Sequence, residues 1–367
     1  MAHQTIPVVE MKTKPLTQLN TFLQVQQPEQ PQVRIHAVGN RKVGMGHVVR
    51  CSNLANALIN RFAVEFDRDL IEPEALKKIA SHLDRRVSFT SGKDKISHPD
   101  QDDKLVEIFD SYEFNANTFA SAKKRKSLVI IIEDNPGVYM HCDMLICHGP
   151  HAKAEMFEVD KRCRLILGPE NALINPCFYT LKAKAGEDVD RLFIFLGGGD
   201  ASQLTTDLIA DLLSIKPNLK IEAILPRVNS SKKSLASIHR DNVTFHDHTN
   251  QEKLFQLMIN CDAAVVAGGS ICLETTAVGL PSLLVTVADN QVLPCEAMNN
   301  LELTLYAKNI FKKNSPERRD SLMILRQFLS DSSIRARLIK NCGITFRKSG
   351  AETVSQNIEQ LVIDQRL

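Results

Sequence analysis

Short apolar runs alternate with segments of helical periodicity along most of the chain. The runs are rich in Val, Ile and Leu, as in VRIHAV at 33–38 and LVIII at 128–132, which is typical of buried strands. Between the runs, apolar residues recur at helical spacing, for example within 48–59. Strands that alternate with helices form parallel sheets covered by helices on both faces. The pattern therefore predicts an α/β fold.

The alternation occurs in two successive halves of the chain. Predicted strands of the first half lie at 33–38, 63–66, 87–90, 106–110, 128–132, 144–147 and 164–167. Those of the second half lie at 192–196, 221–225, 243–245, 263–266 and 283–287. Predicted helices lie at 48–59, 73–83, 115–125, 203–213, 252–260, 271–278, 320–329, 333–340 and 351–362. We expect two doubly wound, Rossmann-like domains that face a cleft.

Two polar stretches indicate the limits of these domains. Residues 1–32 are polar, with Gln and Pro concentrated towards their end, and we expect an extension outside the fold. Residues 183–190 are charged and lack a bulky apolar face, which indicates an interdomain linker. The sequence thus predicts an N-terminal domain at 33–182 and a C-terminal domain at 191–367 that includes the closing helices.

Composition and charge narrow the classes of function. The net charge of the 367-residue chain is only +2, whereas nucleic-acid-binding proteins typically carry a strongly basic surface. Its nine cysteines show no repeating spacing, which argues for a reducing compartment rather than a disulfide framework. No apolar run approaches the ~20 residues of a membrane span, and no secretory signal is evident. We expect a cytoplasmic protein that binds no nucleic acid and has no transmembrane segment.

The first candidate site is the turn between the first predicted strand and the first predicted helix. Residues 39–50 read GNRKVGMGHVVR, with Gly44 and Gly46 just before the helix. Glycines allow close approach of a ligand to the backbone, and a helix N-terminus favours an anion. His47 stands at the same mouth, with a ring that exchanges protons near neutral pH. A tight turn with a packing histidine is the alternative that this motif leaves open.

A second candidate site follows a predicted strand of the C-terminal half. The sequence GGS at 268–270 leads into a helix, and Glu274 lies one helical turn beyond Ser270, on the same face. The carboxylate could accept hydrogen bonds from a ribose diol, while Ser270 and the helix N–H groups bind phosphate oxygens. An ordinary turn with a surface glutamate is the alternative. The sequence GGGD at 197–200 is a further glycine-rich turn that is uninformative alone.

Histidines and cysteines cluster near the middle of the chain. They are His141, Cys142, Cys147, His148 and His151. The cluster contains no Cys-x-x-Cys and lies across a predicted strand, where alternation sends side chains to opposite faces. We expect small buried cysteines here rather than a zinc site, and we expect neither a metal ion nor a cofactor in this protein.

Taken in order, the motifs resemble those of a known family. They are GMGH at 44–47, DSY at 110–112, GPENALI at 168–174, GGGD at 197–200, GGS at 268–270 with Glu274, GLP at 279–281, DNQ at 289–291 and GAE at 350–352. The set resembles the UDP-sugar hydrolases of pseudaminic acid biosynthesis and, more broadly, the glycosyltransferases of two-domain GT-B architecture. The resemblance extends from residue 33 to the C-terminus.

The resemblance implies an enzyme that releases UDP from a UDP-linked diacetamido-trideoxy sugar, with water attacking the anomeric carbon. It implies that His47 positions or deprotonates the water and that Tyr112 lies beside it. We add Asp110 to these two as a candidate catalytic residue. The candidate substrate-binding residues are Gly44, Gly46, Gly198, Gly199, Gly269, Ser270, Glu274, Asn290 and Gln291.

Departures from the family pattern fall mainly in the first half. The first strand of the family usually continues as Arg-x-Asp, whereas this chain has HAV at 36–38. Cys147 and Gly149 stand where the family usually has asparagines. The segment NALIN at 171–175 lacks the aromatic residue and the cation of the family pattern. Two other functions therefore remain open. One is a GT-B glycosyltransferase that passes the sugar to an acceptor, and the other is a non-catalytic protein that binds a nucleotide sugar.

Overall fold

Two parallel β-sheets and the helices that cover them form the framework of the protein. The computed structural model describes residues 30–91, 105–135, 137, 139–180, 187–197, 201–225, 241–247, 250–312 and 315–366. None of the helices in this part of the chain combines the length and the apolar character that crossing a bilayer requires.

The first sheet is built from strands rich in β-branched residues. These strands are β1 (Gln32–Ala37), β2 (Ala63–Asp67), β3 (Ser88–Thr90), β4 (Val106–Asp110), β5 (Leu128–Ile132), β6 (Met144–Cys147) and β7 (Arg164–Leu167). They pair in the order β3-β2-β1-β4-β5-β6-β7, and all the pairs are parallel. The helices α1 (Gly46–Leu58), α2 (Pro73–Ala80) and α3 (Ala116–Lys124) connect successive strands. β5 is buried along its whole length because helices cover both faces.

The second sheet repeats this construction. Its strands are β8 (Arg191–Phe195), β9 (Lys220–Leu225), β10 (Val243–Asp247), β11 (Ala263–Ala267), β12 (Ser282–Val285) and β13 (Leu305–Tyr306), in the order β10-β9-β8-β11-β12-β13. Its helices are α4 (Ser202–Ile215), α5 (Gln251–Ile259), α6 (Ile271–Ala277), α7 (Val292–Asn300), α8 (Pro316–Ser330) and α9 (Ser332–Thr345). The last helix of the chain is α10 (Gly350–Arg366). The two sheets confirm the predicted α/β class.

Each sheet has one point at which the strand order reverses. In the first sheet, β1 leads to β2 on one side and pairs with β4 on the other, so the reversal lies between β1 and β4. In the second sheet, the reversal lies between β8 and β11. Crevices at the carboxyl ends of strands beside such reversals are where open α/β sheets bind ligands. The turns predicted to bind substrate follow β1, β8 and β11.

The domain boundaries differ from those expected from the sequence. The closing helix, predicted as part of the C-terminal domain, instead packs on the first sheet. Its side chains at Ala351, Val354 and Ile358 are fully buried in the core that contains α1 and β1. Conversely, Phe178 precedes the predicted linker but packs in a core of the second sheet. Contiguous segments of sequence therefore do not delimit the two domains.

The predicted linker at 183–190 is also partly structural. Val189 is fully buried in the core of the second sheet, and the Glu187 carbonyl accepts a hydrogen bond of 2.5 Å from the Arg335 guanidinium. Arg335 itself is almost completely buried. Residues 187–190 therefore belong to the second domain, whereas residues 181–186 lie outside the described part of the chain.

Candidate active site

His47 and Asp110 form a buried pair at the carboxyl edge of the first sheet. His47 is the second residue of α1, and Asp110 is the last residue of β4. His47 Nδ1 lies 2.6 Å from Asp110 Oδ1, and Asp110 is fully buried. A carboxylate accepts hydrogen bonds, so Nδ1–H is the donor and Nε2 carries the free lone pair. The pair therefore holds an imidazole in the tautomer that can accept a proton at Nε2.

Arg50 supplies the charge that keeps Asp110 ionised. Its Nε donates to Asp110 Oδ2 at 2.7 Å and its NH2 group donates to Oδ1 at 2.6 Å, a two-point ion pair. Burial raises the pKa of Asp110, but the Arg50 charge and the hydrogen bonds from Arg50 and His47 outweigh burial, and the pKa is lowered. The NH2 group also lies 3.2 Å from His47 Nδ1. Because Nδ1 donates to Asp110, this contact is a close approach rather than a hydrogen bond.

Asp134 extends the network towards Tyr112. Arg50 NH1 donates to Asp134 Oδ2 at 2.6 Å, and the Tyr112 hydroxyl lies 3.5 Å from the same oxygen. The Tyr112 ring stands edge-on to His47, with ring centroids 4.8 Å apart. Burial and then the Asp134 charge raise the pKa of Tyr112 to about 12, so the phenol is neutral at physiological pH. The structure thus brings together the three residues predicted as catalytic.

A cavity of about 530 Å³ joins this network to the second domain. Gly46, His47 and Tyr112 line one wall, and Ser270, Leu273 and Glu274 line the opposite wall. The volume falls within the range of pockets that hold small-molecule ligands. Residues from the two halves of the chain, predicted separately from two motifs, therefore face a single cavity.

Glu274 is a buried carboxyl group. It lies in α6, is 9% exposed, and its carboxyl group makes no hydrogen bond or ion pair with any residue in the part of the chain that the structure describes. Burial raises its pKa from 4.5 to about 8. A carboxyl group placed in this way favours its neutral form until a ligand supplies hydrogen-bond donors.

Three of the glycines in the two predicted turns have open space where a side chain would lie. Gly44 has a φ of +87°, a conformation that an L side chain rarely adopts. A Cβ on Gly44, Gly46 or Gly269 would find no atom of the described chain within 4 Å. Gly268, in contrast, lies against Cys295, whose sulfur would be 2.3 Å from a Cβ. The first three glycines keep the backbone accessible, and Gly268 permits close packing.

Some predicted site residues lie outside the cavity lining or outside the described residues. Gly198 and Gly199 lie outside the described residues. Asn290 is exposed in the short helix Asp289–Gln291, and neither it nor Gln291 lines the cavity. The Gln291 side-chain oxygen accepts a hydrogen bond of 3.0 Å from the Val287 N–H, so this side chain holds its own turn. Their binding roles remain predictions.

The cluster of histidines and cysteines is dispersed in the structure. No three His, Cys, Asp or Glu side chains of the described residues are arranged to hold a metal ion. Cys142 and Cys147 are buried thiols. His148, in contrast, lines the cavity beside His47 and Arg50, a position that the cluster pattern did not indicate.

Sequence reasoning also missed Arg50 and Asp134. Arg50 lies one helical turn beyond His47 in α1, and a cation three residues after a candidate histidine was the available signal. Asp134 is 84 positions from Arg50 in sequence. It reaches the site because β5 pairs with β4, and no local pattern encodes that pairing.

Sequence comparison finds distant relatives of this chain. No protein-family model matches it. The spore coat polysaccharide biosynthesis protein SpsG of Bacillus subtilis is 24% identical over 278 residues, which cover 71% of this chain and 78% of the relative. The UDP-2,4-diacetamido-2,4,6-trideoxy-beta-L-altropyranose hydrolase of Campylobacter jejuni is 29% identical over 154 residues, or 40% of this chain and 54% of the relative. The likeness to both proteins is weak.

Solved structures identify the fold. The calicheamicin glycosyltransferase CalG4 superposes with a TM-score of 0.61 at 12% identity, covering 92% of this chain and 99% of that protein. MurG of Acinetobacter baumannii superposes with a TM-score of 0.58 at 10% identity, and the superposition covers 91% of this chain and 100% of MurG. The two parallel-sheet domains therefore adopt the fold of the GT-B glycosyltransferases.

Proposed function

We propose that this protein is an enzyme that cleaves the anomeric C–O bond of a UDP-sugar with water and releases UDP. The observation that carries the proposal is the single cavity with His47 and Tyr112 on one wall and Ser270 and Glu274 on the other. A proton-transfer group thereby faces a wall suited to a nucleotide. The hydrolase named among the relatives supports a diacetamido-trideoxy sugar, and the likeness to SpsG, a spore coat polysaccharide biosynthesis protein, supports a role in the biosynthesis of a surface glycan, for which we propose a nonulosonic acid.

His47 is the general base of the proposed reaction. Its Nε2 takes a proton from water as the water oxygen forms a bond to the anomeric carbon. The C–O bond to the diphosphate breaks, and UDP leaves with the bonding electrons. Asp110 accepts the Nδ1–H bond at 2.6 Å and stabilises the imidazolium as it forms. Arg50 compensates for the buried carboxylate but is itself held by Asp110 and Asp134.

The second wall binds the nucleotide in this proposal. Glu274 accepts hydrogen bonds from the ribose diol, which provides the partners that its buried carboxyl group lacks. Ser270 lies beside it on the cavity wall and contacts phosphate oxygens. Gly44, Gly46 and Gly269 allow the backbone to approach the ligand in this proposal.

Transfer to an acceptor is the second candidate function. The solved structures with this fold include glycosyltransferases such as CalG4, and an acceptor hydroxyl can replace water at His47 without any other change in the site. The cavity lining includes apolar side chains on the first-domain wall, among them Met45, Ile79 and Leu173. These side chains could contact either the sugar or an acceptor.

The decisive experiment measures UDP release from a panel of UDP-sugars by the wild type and by His47→Ala. We expect the wild type to release UDP in buffer and His47→Ala to be slower by about 10²-fold or more, with nearly unchanged affinity for UDP. His141→Ala, which alters a half-exposed histidine outside the cavity lining, is the matched control and should retain activity.

The other outcomes separate the remaining functions. Release that requires added cell extract would favour the transferase, since the extract supplies an acceptor. Binding of UDP without release under either condition would favour a non-catalytic binding protein. Full activity of His47→Ala would contradict this assignment of the active site.

A further inference from the structure

A second histidine faces the cavity from the first sheet. His148 directly follows β6 and lines the cavity together with His47, Arg50 and Tyr112. The proposed reaction gives it no task, since His47 accounts for the proton transfer. Its ring is therefore free to contact a bound molecule in another way.

The sheet register places His148 level with Asp134, a residue of the active-site network. The last paired residues of β5 and β6 are Ile132 and Ile146, so two residues further on each strand lie Asp134 and His148. Two strand spacings, on the order of 10 Å, separate the end of β6 from the end of β4, which carries Asp110. His148 therefore borders the same cavity as His47, but from a strand two positions away from β4.

The surroundings of His148 determine which ring nitrogen carries the proton. Nδ1 is buried and has no hydrogen-bond partner among the described residues. Buried N–H donors are rarely left without a partner in folded proteins, which favours the tautomer that leaves Nδ1 unprotonated. Burial also lowers the pKa of this imidazole, against the opposing effect of the Asp134 charge. The ring is therefore neutral, with its proton on Nε2, the nitrogen on the partly exposed side of the ring.

We propose that His148 is a specificity-determining residue that donates a hydrogen bond from Nε2–H to an oxygen of the sugar, either a hydroxyl or an N-acyl carbonyl. This assignment rests on the proposed function, because it takes the cavity to hold a UDP-sugar with its sugar on the first-domain wall. The neutral donor differs from His47, whose Nδ1–H is engaged by Asp110. A lysine or arginine here would offer a charge, whereas His148 offers a single directional donor suited to an uncharged oxygen.

Binding measurements in the His47→Ala background test this assignment, because the loss of His47 suppresses turnover. The probes are UDP and UDP-N-acetylglucosamine, whose affinities differ only through contacts to the sugar. In this background we expect His148→Leu to weaken binding of UDP-N-acetylglucosamine by roughly 10-fold or more, the loss typical of one buried hydrogen bond, and to leave UDP affinity unchanged. We expect His148→Gln to restore most of the loss, because the glutamine amide N–H occupies nearly the position of Nε2–H.

His151→Leu provides the matched control. His151 also has a buried Nδ1 without a partner among the described residues but does not line the cavity, so its loss should leave both affinities unchanged. Equal affinity ratios in His148→Leu and its parent would overturn the role of His148 alone. Weaker binding of UDP as well would also overturn it, since that result indicates a structural effect. Failure of the parent protein to bind UDP would overturn the proposed function, and this assignment with it.

Discussion

The His47–Asp110–Arg50 network shows how single residues set the chemistry of the site. An unpaired carboxylate at the position of Asp110, which is fully buried, would be too costly to remain ionised. The two-point contact from Arg50 lowers the pKa of Asp110 in spite of burial. Asp110 can therefore accept the Nδ1–H bond of His47 over the physiological pH range. The electrostatic partner of Asp110 thus determines the state of the proposed base.

Glu274 shows the opposite solution, a buried carboxyl group that has no hydrogen-bonding or charged partner among the described residues. Its pKa is raised from 4.5 to about 8 by burial, so folding keeps a proton on this group that the unfolded chain loses at lower pH. The contribution of Glu274 to the free energy of unfolding is therefore most favourable below pH 4.5 and decreases as the pH rises towards 8. Groups that lower stability in this way are common in functional sites, where activity and stability compete.

We predict that Glu274→Gln stabilises the ligand-free protein at alkaline pH. The amide cannot ionise, so the variant should exceed the wild type by roughly 4–5 kcal/mol at pH 8.5, given about 1.4 kcal/mol per pKa unit. At pH 4.5 the two proteins should be nearly equal. Urea unfolding at both pH values measures this difference, and a gain of the same size at both would contradict it. UDP affinity should fall in the same variant.

Sequence motifs predicted some residues of the candidate site but not others. His47, Asp110 and Tyr112 were predicted and lie together, because β1 pairs with β4 and all three residues lie just beyond or at the carboxyl ends of these two strands. Asp134 and His148 were not predicted as site residues. They join the site through the pairing of β5 with β4 and β6, which is a property of the sheet order.

At the scale of elements, most strands and helices match the periodicity to within a few residues. The helix predicted at 48–59 begins at Gly46, so His47 lies in its first turn rather than in the preceding loop. Two elements were missed, α7 and β13. α7 contains Pro294 in its first turn, where proline is tolerated although it obscures the helical pattern, and β13 has only two residues.

Gly350 allows the start of α10 to pack directly against the backbone of Ala172. It begins α10, and a Cβ at this position would lie 2.5 Å from both the backbone nitrogen and the backbone oxygen of Ala172. Backbone atoms in a packed core cannot move aside as a flexible side chain can. Only glycine allows α10 to start where it does.

We predict that Gly350→Ala destabilises the protein by about 1–3 kcal/mol, the usual cost of overpacking. Gly46→Ala is the matched control, because its Cβ would meet no described atom within 4 Å and alanine suits a helix. Thermal unfolding of both variants measures the difference. Equal melting temperatures for the two variants would show that Ala172 and α10 can separate without cost.

At the scale of the whole molecule, the two sheets place their ligand-binding edges on one cavity. His47 follows β1 beside the reversal of the first sheet, and Glu274 follows β11 beside the reversal of the second. Each motif alone fits an ordinary turn. Their convergence on one cavity is what distinguishes a site from a turn, and it arises from the packing of the domains.

The return of α10 to the first domain ties the end of the chain to its first strand and helix. Arg61 donates hydrogen bonds to Glu352 at 2.6 Å and to Glu359 at 2.8 Å. These ion pairs are partly exposed and contribute little. The buried apolar face of α10 supplies most of the attachment, because Val354 and Ile358 are completely buried in the first core.

We predict that Ile358→Ala destabilises the protein by about 2–5 kcal/mol, since it leaves a cavity in the core of the first domain. Ile363→Ala alters the same residue type on the same helix at a position that is 47% exposed, and it should change stability by about 0.5 kcal/mol or less. Denaturant unfolding of the two variants provides the comparison. Similar losses in both would contradict the packing of α10 on the first sheet.

The sequence by itself determined the α/β class, the two repeats of strand and helix, and the turns that carry His47 and Glu274. These features are local, because periodicity and glycine turns act over a few neighbouring residues. Only the tertiary structure decided the domain of α10, the ion pairs of Arg50, and the position of His148 on the cavity. Those features depend on strand order and interdomain packing, which join residues far apart in the chain. Hydrophobic pattern specifies which face of an element is buried but not which partner covers it.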